Sequence, residues 1–113
     1  MTIDADVAAT AKRFGEDPRL LQAIVTAEGD ILKAVRCSVP TCTDRQEALE
    51  ITCRTVNHRR RDYLASLGRN FQQNFVVFLG AAWAPVGAAN DPKGLNANWD
   101  GNVARLWLGM GPA

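Results

Sequence analysis

The chain has 113 residues, 47% hydrophobic and 22% charged, with a formal net charge of +1. That length suits one domain around one core, spanning residues 1–113, and the near-neutral balance argues against a bulk polyanion such as nucleic acid as the main partner. No apolar run approaches the roughly 18 residues of a membrane span, and "MTIDADVAATAKRF" lacks the regions of a secretory signal, so synthesis in the cytoplasm is expected.

The first predicted helix places Val7, Ala8, Ala11 and Phe14 on one face and closes at Gly15. Asp17 caps a second helix, with Pro18 at its first position, where a missing N–H costs nothing. Its inner stripe is Leu20, Leu21, Ile24, Val25 and Glu28, and Gly29 lets the chain turn. The segment "ILKAV" reads as a short helix leading into the loop "CSVPTC". Thr43 and Gln46 predict a capping box for the longest helix, which runs to about Leu67. Its apolar side is Ala48, Leu49, Thr52, Cys53, Val56, Tyr63, Leu64 and Leu67.

Asn70 and Gln73 predict the start of a further helix carrying Phe71, Phe75, Phe78, Leu79 and Ala82, which Pro85 ends. The loop "APVGAANDPKGLNAN" precedes a last short helix with Val103, Leu106 and Trp107. No stretch alternates with period two for long enough to form a strand. The expected fold class is therefore all-α, with little or no β-sheet.

Cys37, Cys42 and Cys53 are too few, and odd in number, for a disulfide framework. A bond between Cys37 and Cys42 stays open beside the favoured reading of free buried thiols. With His58 the cysteines spell C-x4-C-x10-C-x4-H. Cys53 and His58, five apart on a helix, fall on different faces, so a tetrahedral zinc site is not expected. No metal or cofactor is predicted. The run "RTVNHRRR" gathers Arg54, Arg59, Arg60 and Arg61. As a helix face it could meet phosphate backbones or anionic wall polymer, but a solvated face is the simpler reading and a nucleic-acid partner is disfavoured.

Glu28 raises the sharpest chemical question. It lies four residues after Ile24, on the apolar stripe, and at a helix C-terminus where the macrodipole disfavours an anion. Both effects favour the protonated carboxyl, the form that can donate a proton to a departing glycosidic oxygen. The bland alternative is a surface acid near the helix end, offset by Lys33 or Arg36.

The stretch "FVVFLGAAWAPVGAANDPKGLNANWDGNV" resembles the C-terminal part of small phage-encoded lysozyme-like and lytic-transglycosylase-like proteins. In that family an aromatic helix runs into a Trp-Ala-Pro turn, an Asn-Asp-Pro loop and a Leu-Asn-x-x-Trp helix start. "DPRLLQAIVTAEGD" is similar to the helix that carries the family's catalytic acid. The resemblance implies a lysozyme-like helical domain that cuts the glycan strand of peptidoglycan, with Glu28 as general acid and base. It implies that Trp83, Asn90, Asp91 and Trp99 belong to the loop region facing the sugar cleft. It also implies a working place in a phage virion or at the host periplasm and cell wall.

Gly29 stands where the transglycosylases commonly carry serine, and the Gly-Leu-Met-Gln stretch of many of them is missing. Only 14 residues lie between Glu28 and Thr43, which leaves little room for the hairpin that brings a second carboxylate in many lysozymes. The candidates for that partner are Asp30, Asp62, Asp91 and Asp100, with Asp91 preferred for its place in the loop. Without a partner, a route with one acid and an internal sugar hydroxyl as nucleophile remains, and it is slightly favoured. Asn90, Asn96 and Asn98 offer donors and acceptors suited to sugar hydroxyls. Trp83 and Trp99 offer flat faces to pyranose rings, and Tyr63 a hydroxyl within possible reach of the acid. Against these stand ordinary turn chemistry and core packing. The alternatives to an enzyme are an inert lysozyme-like virion part, partnered by other phage proteins, and a basic nucleic-acid-binding module.

Overall fold

The computed structural model describes residues 2–70, 75–83 and 99–109, and every regular element within them is an α-helix. In chain order these are α1 (Ala5–Phe14), α2 (Pro18–Glu28), α3 (Ile31–Arg36), α4 (Arg45–Asn70), α5 (Phe75–Trp83) and α6 (Trp99–Gly109). Among the described residues no strand occurs, and none of the helices is long and apolar enough to cross a membrane. The all-α expectation holds.

Local chemistry sets the first three helix boundaries. Gly15 takes φ 70°, a left-handed conformation that suits glycine, and its N–H closes α1 by reaching the Lys12 carbonyl at 3.2 Å. Asp17 is the N-cap of α2, its Oδ1 accepting from the Arg19 backbone N–H at 2.9 Å, with Pro18 following. Gly29, at φ 78°, ends α2, and Asp30 caps α3 by accepting from the Lys33 N–H at 3.1 Å.

Packing puts α2 at the centre, against α1, α3 and α6, while α4 carries α1, α3 and α5 on its inner side. Leu20, Leu21, Ala23, Ile24 and Val25 of α2 join Val7 and Ala11 of α1, Leu49, Cys53 and Val56 of α4, Leu79 of α5 and Val103 of α6 in one core. Polar groups lock its edges. Arg45 donates to Asp6 at 2.8 Å and to Asp4 at 3.0 Å, fastening the start of α4 to the start of α1. Gln22, buried on α2, accepts from the Asp4 backbone N–H at 2.9 Å.

Three details differ from the sequence reading. The cap of α4 is Asp44, whose Oδ1 accepts from the Glu47 N–H at 2.8 Å, whereas the Thr43 hydroxyl donates to the Glu47 side chain at 2.7 Å. The Thr43–Gln46 capping box is therefore displaced by one residue. The helix also runs through Asn70, so Asn70 lies within α4 instead of capping a new helix. Leu64, placed by the sequence on the inner side of α4, is 60% exposed. The inward line runs Val56, Arg60, Tyr63, and Leu64 stands about 100° of helical rotation beyond Tyr63.

Candidate functional site

Glu28 is half-buried at the last position of α2, one turn beyond the fully buried Ile24. Trp99, the first residue of α6, donates its indole N–H to Glu28 Oε1 at 3.0 Å, joining positions 71 residues apart. The Trp99 ring is only 8% exposed and belongs to the core. Two residues singled out from separate parts of the sequence thus meet in one contact. The stripe explains it in part: Leu21, Ile24 and Glu28 share one face of α2, and α6 packs against α2.

A matching bond closes the other end of the seam. Trp107 donates its indole N–H to Asp17 Oδ2 at 3.0 Å. Asp17 precedes α2 and Glu28 ends it, while Trp107 and Trp99 lie in the opposite order on α6, so the two helices run antiparallel. Along the axes these pins are roughly 12–16 Å apart. Burial alone would raise the Asp17 carboxyl. Hydrogen bonds from the Arg19 side chain and backbone and from Trp107, with the Arg19 charge, outweigh that and hold it below the ordinary carboxylate range. Trp107 entered the sequence reading only as an apolar residue. The signal for its role was present: Asp17 and Glu28 are eleven residues apart, about three helical turns, and so lie on one line.

Tyr63, Asp30 and Asp62 are placed by contacts of their own. Tyr63 packs between α4 and α5, its ring centroid 5.4 Å from that of Phe75 and 5.5 Å from that of Phe78. Trp83 is the last residue of α5, and its side chain lies outside the described residues, as do Asn90, Asp91 and Asn96 entirely. Of the other carboxylates considered as partners, Asp30 is exposed and occupied as the α3 cap. Asp62 lies on the outer face of α4, 3.4 Å from Arg59. Two concavities formed by described residues lie away from Glu28. One runs along α4 between Arg54, His58 and Asp62, and the other is a narrow crevice between Glu16, Leu20 and Cys53.

The arginine run does not form one basic face. Arg60 turns inward, gripping Glu16 through Nη2 at 2.8 Å and Nε at 3.3 Å, and its guanidinium stacks 4.3 Å from the Phe75 ring centre. The Glu16 side chain is 5% exposed, so this two-pronged pair ties the α1–α2 turn to α4 and α5 across the core edge. Arg59 and Arg54 remain outside, beside Asp62 and Glu50.

The three cysteines are free thiols. Cys42 and Cys53 are buried, but Cys37 is exposed, which corrects the expectation of buried thiols for that residue. Desolvation, with the Glu16 charge nearby, pushes the Cys53 thiol up to about 11. Cys37 donates to the Lys33 carbonyl and Cys42 to that of Asp44, and among the described residues no three potential metal ligands converge.

Comparison with protein-family models, with curated proteins and with solved structures finds no match for this chain. The functional reading therefore rests on the residues and their geometry.

Proposed function

We propose that this domain cleaves the glycan strand of peptidoglycan, with Glu28 as the general acid and then the base. The observation that carries the reading is the junction of Glu28 with Trp99: a half-buried carboxyl at the end of a core helix, held by the segment that bears the resemblance to wall-cutting proteins. Glycoside cleavage needs a carboxyl that is fixed in direction and partly shielded from water.

In the first step the Glu28 carboxyl gives its proton to the glycosidic oxygen. The bond from that oxygen to the anomeric carbon breaks, and the leaving sugar departs as an alcohol. Positive charge grows on the anomeric carbon and its ring oxygen. In the second step the Glu28 carboxylate removes a proton from the 6-hydroxyl of the same sugar as that oxygen bonds to the anomeric carbon, closing an anhydro ring. Water in place of the 6-hydroxyl would give the hydrolysed product. The direct route to hydrolysis with a second carboxylate would use Asp91 as the partner. Asn90, Asn96, Trp83 and Tyr63 are proposed to hold the sugar chain, and a phage virion or the host wall is the proposed setting.

A second reading has its own support. The Trp107–Asp17 bond shows the same indole-to-carboxylate pairing at a place with no proposed chemistry. The Trp99–Glu28 bond would then be a second structural pin, and the domain an inert component of a phage particle. Purified peptidoglycan separates the two. The enzyme clears it and Glu28→Gln abolishes clearing while the fold is kept; the inert component leaves it intact.

A further inference from the structure

Trp99 was expected to offer a flat face to a sugar ring. With 8% of its surface exposed, the ring has no such face to give, while its N–H is spent on Glu28 Oε1 at 3.0 Å. We infer that Trp99 is the positioning residue of Glu28: its indole N–H holds Oε1 and so sets the direction of the carboxyl group. The inference rests on the glycan-cleavage reading and assigns the atoms within it.

An N–H donor needs a lone pair, and in a protonated carboxyl the carbonyl oxygen is the better acceptor. Whenever the carboxyl carries a proton, the oxygen facing Trp99, Oε1, is the carbonyl-like one. When Glu28 has given that proton away, the same indole bond becomes charge-assisted and shortens, so the carboxylate keeps its orientation for the second step. Because the indole is rooted in the core beside Val103 and the α2 stripe, it does not turn with the carboxyl. The bond thus restrains the carboxyl torsion, and orientation of a reacting group is worth large factors in rate.

The role predicts a particular kinetic pattern. Trp99→Phe keeps an aromatic ring and removes the donor, so kcat on purified peptidoglycan falls on the order of 100-fold, while KM stays within about twofold because sugar contacts are untouched. Trp107→Phe, which removes the pin at the far end of α2, leaves kcat unchanged. Replacing Trp99 by benzothienylalanine, which exchanges only the N–H for sulfur, repeats the Trp99→Phe pattern and covers the case in which the phenylalanine variant folds poorly. In the indole region of a 15N-correlated NMR spectrum, Glu28→Ala, which removes the acceptor, moves the Trp99 N–H resonance upfield as the bond is lost.

A rise in KM at constant kcat would make Trp99 a sugar platform and overturn the inference. So would unchanged kinetics in both Trp99 variants, or a Trp99 resonance indifferent to Glu28→Ala. Each of these leaves the cleavage reading standing, provided the wild type cuts and Glu28→Gln does not. A wild type that fails to cut removes both.

Discussion

Trp107 donates to Asp17 Oδ2 at 3.0 Å across 90 residues of chain, and so the last helix fastens the cap of the second. Asp17 also accepts from the Arg19 backbone N–H, which makes it cap, ion-pair partner and indole acceptor together. Asp17→Ala is expected to lose the cap and to strand a partly buried indole N–H, at a combined cost of about 2–3 kcal/mol. Urea unfolding followed by far-UV circular dichroism measures it, and a change below a few tenths would contradict the role.

Acid sensitivity follows from the same residue and from Asp6. In Asp6 the hydrogen bond from Arg45 is the main cause of a lowered carboxyl; in Asp17 burial opposes, and the donors from Arg19 and Trp107 prevail. Both groups thus have folded values below the ordinary 3.8. Their contribution to stability is present above that value and lost as pH falls through it toward the lowered folded values. The urea midpoint is expected to drop as pH falls below about 4. The drop should be shallower in Asp17→Asn, which has no carboxyl to protonate at that position.

The Glu16–Arg60 pair is the most buried ion pair among the described residues, and it joins the α1–α2 turn to α4 and α5. Glu16→Ala leaves a guanidinium with its carboxylate gone at the edge of the core, an expected loss of about 3 kcal/mol. Arg60→Lys keeps the charge but loses the two-pronged contact and the flat stacking on Phe75, so it recovers little of the wild-type stability. Thermal unfolding of the two variants side by side checks this.

The thiols should separate by reactivity. At neutral pH a soluble maleimide is expected to label Cys37 rapidly, and Cys42 and Cys53 only as fast as the fold opens. Cys53 has a folded value of about 11 against an ordinary 9.0, raised chiefly by desolvation. The stabilisation this represents is complete below 9.0 and lost as pH rises through about 11, so the domain should weaken in alkali. Cys53→Ala should blunt that alkaline loss.

Helix order and the central place of α2 were legible because each boundary carries its own punctuation: Gly15, the Asp17–Pro18 pair, Gly29 and the Asp30 cap. Glu28 was legible as an inward acid because period 3.6 continues the line of Leu21 and Ile24 to it. Arg60 was not. A guanidinium in a run of arginines reads as solvated, and only the distant Glu16 and Phe75 give it a reason to turn inward. The cap of α4 slipped by one because Thr43 and Asp44 are both good caps, and local spacing does not choose between them. The roles of Trp99 and Trp107 depend on how α6 lies against α2, a relationship over 71 and 90 residues that periodicity does not encode.

The most direct test is mass analysis of the soluble fragments released from purified peptidoglycan by the wild type and by Glu28→Gln. The expected result is disaccharide-peptides from the wild type, lighter by one water than their hydrolysed forms, and none from a folded Glu28→Gln. Equal release by both proteins, or by neither, would contradict the proposal that Glu28 cuts the wall.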